Sequence, residues 1–224
     1  IALETGDIDA FVQLDQNTAV QFVDNPAFSM EANSYINGYQ LYFSGGDNRN
    51  IATDENLRKA ICYAIDTDGL IKGVFAGYGK SMHDPIADTS VGYLEKWKDE
   101  EYYPYDVEKA KELIGQSNYK GEELEFLATS SSTIQRVCQM IQGYLLQVGI
   151  NVKLNLVDQA LYTATRLDGT QYDMTINTVG GETLPDHWSI RYDYQAYKTG
   201  DATARHDEAL GELLYKTWTK EGFT

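Results

Sequence analysis

Short β-prone segments alternate with helical apolar stripes along most of the chain, and this alternation limits the folds that it can adopt. One stripe recurs every three or four residues, as on one face of a helix, at Ile134, Val137, Cys138, Ile141, Leu145 and Val148. Gly149 follows as a helix end, and the segment 150–157 then alternates apolar and polar residues as a strand does. Strands that alternate with helices predict an α/β fold.

The same patterns place the remaining helices and strands. Thr53 or Asp54 is expected to begin one apolar helical pattern, and Asp106 is a suitable N-cap for another. The segment 131–133 is expected to cap the helix that carries the stripe. Further helices are expected at 70–75, 161–167 and 206–219. Further strands are expected at 8–12, 39–43, 124–128 and 172–178. The predicted loops are 80–103 and 180–185.

The length and charge of the chain exclude several functions. Its 224 residues suffice for one large domain or two small ones, and they carry a formal net charge of −16. So acidic a surface repels phosphate backbones, which argues against a nucleic-acid partner. A hydrophobic content of 42% is too high for a disordered acidic tail. No apolar run reaches the roughly 20 residues that a membrane-spanning helix needs.

The motifs that would indicate catalysis or metal binding are incomplete. Residues 79–81 resemble the end of a phosphate-binding loop but lack the glycine that must stand five positions earlier. Residues 66–69 resemble part of a calcium loop, with the glycine too early. His83, His187 and His206 are scattered without metal-ligand spacing, and no nucleophile-elbow motif occurs. The sequence neither predicts nor excludes a pair of catalytic carboxylates, because such a pair is defined by the distance between the two groups.

The two cysteines, Cys62 and Cys138, both fall inside apolar, helix-like runs. Two buried reduced thiols are the simplest interpretation, and a single disulfide is open if the two helices touch. Two cysteines without neighbouring histidines do not make a zinc site. The sequence therefore predicts neither a metal site nor a cofactor.

One helical run and several other segments together resemble a known protein family. The run 54–66 (DENLRKAICYAID) is similar to the DxRvRqAlsyAiDr helix of the peptide-binding, family 5 extracellular solute-binding proteins of ABC importers. Further segments that resemble motifs of this family, in the same order along the chain, are 5–10, 70–79, 103–114, 141–152 and 172–174. Each match is short, and their common order across nearly the whole chain makes the resemblance specific.

The resemblance implies a two-lobed fold in which a hinge lets the lobes close on a ligand. This chain would supply mostly the second lobe, an α/β lobe of the type II periplasmic-binding-protein-like class, with a mixed sheet flanked by helices. Residues 1–44 would form the end of the first lobe and the crossover strands. Residues 45–224 would form the second, ligand-binding lobe, truncated before the chain returns to the first lobe.

The resemblance also implies where the ligand binds. In this family the segment after the last predicted strand lines the cleft, and Glu182 falls where many peptide binders hold the ligand's α-amino group with an aspartate. Gly180 and Gly181 would let an extended peptide approach the backbone closely. Val179 replaces the usual cleft tryptophan, and Trp188 either contacts the ligand or packs in the core.

We therefore expect a solute-binding subunit, and no enzyme, that captures an extended peptide between two lobes and delivers it to the membrane permease of an ABC importer. It is expected to be a monomer outside the cytoplasmic membrane, either periplasmic or lipid-anchored at the cell surface. The resemblance also allows a non-peptide solute, namely a nickel chelate, haem or an oligosaccharide. A carboxylate-based hydrolase is the remaining alternative.

Overall fold

The computed structural model describes residues 2–12, 14–31, 38–45, 50–82, 93–179 and 208–217. The chain divides into two compact units. Unit 1 comprises residues 1–35 and 67–81, and unit 2 comprises residues 36–66 and 82–224.

Four strands of unit 2 form one mixed sheet. They are β1 (Gly38–Phe43), β2 (Leu124–Thr129), β3 (Val152–Val157) and β4 (Met174–Val179). Their order across the sheet is β1-β4-β2-β3, with β2 parallel to both β3 and β4, and β1 antiparallel to β4. The strands that the sequence predicts from residue 39 onwards are confirmed, with their ends shifted by at most two residues. The predicted α/β class with a mixed sheet is therefore confirmed.

Helices precede and follow these strands along the chain, as the α/β class requires. The described helices are α1 (Ala2–Thr5), α2 (Gln16–Ala19), α3 (Asn50–Thr53), α4 (Glu55–Ala64), α5 (Thr67–Phe75), α6 (Val107–Gln116), α7 (Ser132–Gln147), α8 (Gln159–Asp168) and α9 (Glu208–Thr217). A short 3-10 helix at Glu95–Asp99 lies within the segment predicted as a loop. Helices α1, α2 and α5 belong to unit 1, and the others belong to unit 2.

Side-chain caps fix where two of the predicted helices begin. Asp54 accepts the N–H of Leu57 at 3.0 Å before α4, and Asp106 accepts the N–H of Lys109 at 2.8 Å before α6. Both expectations are confirmed, because an N-cap oxygen satisfies an amide that has no partner inside the helix. Ser131 stands at the N-cap position of α7, but its side chain makes no capping hydrogen bond.

The central strand β2 is buried on both faces, and Phe126, Leu127 and Ala128 are each 0% exposed. Along the chain, the crossover β2–α7–β3 moves toward the β3 end of the sheet, and the crossover β3–α8–β4 moves back in the opposite direction. Right-handed connections therefore place α7 and α8 on opposite faces of the sheet. On one face, Tyr162 of α8 packs with Leu127 and Tyr172. On the other face, α7 packs against β2 and β3.

Unit 1 contains the one strand prediction that is wrong. The segment 8–12 follows a turn at Gly6, where φ is +76°, and its first amide donates to the carbonyl of Ala2. A β-prone run becomes a strand only where another strand pairs with it, and this segment has no such partner among the described residues. Elsewhere in the unit, the Asn17 amide of α2 donates to the Val74 carbonyl of α5 at 2.7 Å.

Two glycines of the α7 region should respond in opposite directions to alanine. Gly143 lies inside α7 with nothing within 4 Å of an added Cβ, so Gly143→Ala should raise the free energy of unfolding by about 0.5–1 kcal/mol. Gly149 ends the helix with φ at +89°, so Gly149→Ala should lower it by about 1 kcal/mol through backbone strain. Urea denaturation of both variants checks this contrast, which a shift of the same sign in both would contradict.

Candidate ligand-binding edge of the sheet

One edge of the sheet collects the ends of three strands. Because β2, β3 and β4 are parallel, they finish together at Thr129, Val157 and Val179. The antiparallel β1 begins at the same edge, where Gly38 pairs with Val179. In open α/β sheets, ligands bind outside the carboxyl ends of the parallel strands. We refer to this part of the molecule as the carboxyl edge, and it is the candidate site.

Two helices also begin at the carboxyl edge. The N–H of Ser130 donates to the Val157 carbonyl at 2.8 Å, which continues the β2–β3 ladder up to the start of α7. After β3, the carboxylate of Asp158 caps α8 by accepting the N–H groups of Ala160 and Leu161 at 2.9 and 3.0 Å. The first amides of a helix carry partial positive charge, so both helix starts favour negative groups at this edge.

A polar row on β1 and β4 lies just inside the carboxyl edge. Gln40 and Asn177 are direct cross-strand partners, so their side chains share one face of the sheet. Tyr42 lies opposite Thr175 on the same face, and its hydroxyl donates to the Gln40 side-chain oxygen at 2.6 Å. The sequence motifs do not point to these four residues. The available signal is the alternation of apolar and polar residues at the start of β4, which places Thr175 and Asn177 on one face.

A buried tie at the opposite edge fixes the register of β4. Asp173 accepts the N–H of Glu125 with its carboxylate at 2.8 Å, and its own N–H donates to the Glu125 carbonyl at 2.9 Å. The N–H of Ser44 donates to the Asp173 carbonyl at 2.8 Å, and the Ser44 hydroxyl donates to the Gly169 carbonyl at 2.7 Å. Because this tie joins β1, β2 and β4, it fixes the register of β4 and therefore the position of its last residue, Val179.

Comparison with known families identifies the group to which this sheet and its edge belong. The profile described as "Bacterial extracellular solute-binding proteins, family 5 Middle" matches residues 1–201. The chain belongs to this family. The resemblance inferred from the segment motifs is thereby confirmed.

Individual relatives of this family 5 chain cover only part of it. The dipeptide-binding protein of Escherichia coli is 29% identical over 141 residues, which are 60% of this chain and 26% of the relative. The glutathione-binding protein GsiB of Pectobacterium atrosepticum is 36% identical over 104 residues, which are 46% of this chain and 20% of the relative. The matched part of this chain thus spans about a quarter or less of either relative.

Solved structures confirm the fold of the family 5 chain. A putative peptide-binding protein AppA from Clostridium difficile superposes with a TM-score of 0.84 at 18% identity, over 98% of this chain and 45% of that one. The Helicobacter pylori protein DppA, in complex with the peptide STSA, gives 0.81 at 24% identity, over 98% and 43%. The protein AgaA from A. tumefaciens, in complex with agropinic acid, gives 0.75 at 29% identity, over 96% and 44%.

The predicted ligand-contacting residues begin where the described part of β4 ends. Val179 is the last residue of β4, and its backbone pairs with Gly38 at the carboxyl edge. Glu182, Gly180, Gly181 and Trp188 lie outside the described residues, and so do the three histidines, so their roles stay predictions. The structure therefore shows from which point of the sheet the predicted ligand-binding segment departs.

A metal-binding cluster and a membrane-spanning helix are both absent from the described residues. Within these ranges, no three His, Cys, Asp or Glu side chains come close enough together to hold a metal ion. In the same part of the chain, no helix combines the length and apolarity needed to cross a membrane.

Both cysteines are free thiols on helices that pack together. Burial raises the pKa of Cys138 to about 12. Burial also raises the pKa of Cys62 to about 11, although the nearby Arg58 partly opposes the shift. A thiol with so high a pKa carries almost no thiolate near neutral pH, and the thiolate is the reactive form.

We therefore expect both cysteines to resist alkylation. In the folded chain at about pH 8, iodoacetamide should modify each one at least roughly tenfold more slowly than in the chain unfolded in urea. Peptide mass spectrometry resolves the two sites. Equal rates for either cysteine in the folded and unfolded chains would contradict its burial.

Proposed function

We propose that this chain is the ligand-binding part of a solute-binding subunit of an ABC importer that takes up peptides. Residues 1–44 would belong to the first lobe and the crossover, and residues 45–224 to the second lobe. The bound solute would lie between the lobes, and the closed form would dock on the permease. The subunit would act as a monomer outside the cytoplasmic membrane, in the periplasm or lipid-anchored at the cell surface, without catalysing a reaction.

The observation that carries this proposal is the position of β4 in the family 5 fold. The strand ends at the carboxyl edge, and Glu182 follows only three residues after Val179. An ammonium group that leaves water needs a negative partner and hydrogen-bond acceptors, and a carboxylate supplies both. The relatives named for binding a dipeptide or glutathione, and the neighbour bound to STSA, support a peptide ligand.

The local chemistry allows Glu182 to hold the peptide's α-amino group while Gly180 and Gly181 face its backbone. A side chain at either glycine would keep an extended peptide away from the protein's own N–H and C=O groups. Backbone pairing of this kind gives affinity without selecting side chains. The half-buried amides of Gln40 and Asn177 lie two residues inside the carboxyl edge of the sheet and would add polar contacts.

The test is a calorimetric titration of a protein that contains both lobes. Glu182→Gln should weaken the binding of peptides with a free amino terminus by roughly 10- to 150-fold, the loss of one charged hydrogen bond. N-acetylated peptides, which lack the ammonium, should bind wild type and variant equally weakly. The exposed Glu212 of α9 gives a control, because Glu212→Gln removes the same charge and should leave the affinity unchanged.

A non-peptide solute is the second candidate, and the AgaA complex with agropinic acid favours it at 29% identity. Native mass spectrometry of ligands that co-purify with the two-lobed protein separates the two candidates. A non-peptide ligand, together with no binding of any peptide, would contradict the peptide proposal. Turnover of a bound ligand, lost in Glu182→Gln, would instead indicate a hydrolase.

A further inference from the structure

An exposed cluster of aromatic rings lies on unit 2, and we call it the tyrosine face. It consists of Tyr63 on α4, Tyr144 on α7, and three tyrosines in the segment before α6, namely Tyr102, Tyr103 and Tyr105. The three loop tyrosines are 56%, 43% and 44% exposed, whereas Tyr63 and Tyr144 are half-buried. Large aromatic side chains at such exposure are typical of surfaces that bind a partner.

The tyrosine face is held in place by specific contacts. The N–H of Asp106 donates to the Tyr63 carbonyl at 2.8 Å, which ties the loop to the end of α4. The rings of Tyr63 and Tyr103 meet edge to face with centroids 5.5 Å apart. The rings of Tyr105 and Tyr144 lie 6.3 Å apart. A partner would therefore meet rings that are already positioned, which lowers the entropy cost of binding.

The charges around the tyrosine face are mainly negative. The Tyr102 hydroxyl donates to the Glu100 carboxylate at 2.6 Å. Burial, and then the carboxylate of Asp66, raise the pKa of the Tyr144 hydroxyl. The charges of two nearby lysines are balanced by carboxylates on the same helices. Lys59 pairs with Glu55 at 2.6 Å, and Lys109 pairs with Glu112 at 2.9 Å.

These observations select the sign of the partner's charge. The face of an aromatic ring attracts cations, and adjacent carboxylates strengthen that attraction. A second copy of this chain brings another net charge of −16 and is repelled. A purely apolar partner would cover the carboxylates without pairing them. We propose that the tyrosine face is a docking surface for an arginine- and lysine-bearing segment of another protein.

The tyrosine face lies away from the carboxyl edge. Helix α7 begins at that edge, and Tyr144 stands about 18 Å further along its axis, at a rise of about 1.5 Å per residue. A partner bound there would leave the candidate ligand site open. The proposal therefore does not rest on the proposed function and holds whatever solute the protein binds.

The test uses a fluorescein-labelled peptide of alternating arginine and glycine as the probe, with this chain as the receptor. At about 0.15 M salt, where screening reduces unspecific attraction to an acidic protein, wild type should bind the probe. The double variant Tyr102→Ser/Tyr105→Ser should bind at least about tenfold more weakly. The control Leu161→Ser/Leu213→Ser removes two side chains of similar exposure, 52% and 58%, on helices α8 and α9, and should retain the affinity within about twofold.

A second measurement does not depend on how the variants fold. A photo-reactive group on the same probe should cross-link wild type within residues 100–106 or on α7 near Tyr144. Equal binding by all variants, or cross-links spread over the acidic surface, would overturn the proposal in favour of unspecific attraction. Concentration-dependent dimers in sedimentation that Tyr102→Ser/Tyr105→Ser abolishes would overturn it in favour of a second copy.

Discussion

Replacing Asp54 with alanine should lower the free energy of unfolding of unit 2 by about 3 kcal/mol. This buried carboxylate caps α4 through the N–H of Leu57 and also accepts the N–H of Asn118 at 2.6 Å. The second bond joins the start of α4 to the loop after α6, so alanine removes a cap and a long-range tie together. Two amides then lose a charged acceptor in a region where Asp54 itself is only 6% exposed.

Asp106→Ala is the matched control for this prediction. Asp106 caps α6 through the N–H of Lys109, but it is exposed, so its loss should lower the free energy of unfolding by only about 1 kcal/mol. Urea denaturation followed by tryptophan fluorescence reports on unit 2, because Trp97 belongs to it and the sequence of unit 1 contains no tryptophan. Equal losses for the two aspartates would show that the tie to Asn118 contributes nothing.

Removing the ring of Tyr172 should have the largest effect, about 4 kcal/mol for Tyr172→Ala. The side chain is 0% exposed and packs with Leu127 of β2 and Tyr162 of α8, so alanine would leave a cavity between the sheet and α8. The hydroxyl adds less, because it donates to the Arg166 carbonyl at 2.8 Å and loses one neutral hydrogen bond in Tyr172→Phe. That variant should lose about 1 kcal/mol.

The same urea titration distinguishes the two contributions of Tyr172. A large difference between the alanine and phenylalanine variants assigns the stabilisation to packing of the ring. If Tyr172→Phe were as damaging as Tyr172→Ala, the hydrogen bond at the end of α8 would dominate, and the packing argument would be wrong. Both variants leave the predicted contact at Glu182 chemically unchanged. Under conditions in which the variants are fully folded, their ligand affinity should therefore stay within about twofold of wild type.

The helices followed from local information in the sequence. The stripe on α7 and the caps at Asp54 and Asp106 depend on residues within one or two turns of each other, and the structure confirms them. The prediction of a strand at 8–12 is wrong because a strand also needs a pairing strand, and none of the described residues pairs with this segment. The predicted start of α7 at Ser131 is correct, but its hydroxyl does not cap the helix, because the orientation of a serine hydroxyl depends on the competing contacts around it.

The sequence by itself determined the α/β class, the positions of the longer helices and the membership of family 5, because these depend on periodicity, capping and motif order. Only the tertiary structure decided that β1 pairs with β4, that Gln40 and Asn177 stand side by side, and that Asp173 ties three strands together. The physical reason is the sequence separation of these partners, which in the first case exceeds 130 residues. Contacts over such distances depend on the free energy of the whole packed sheet, which no local pattern records.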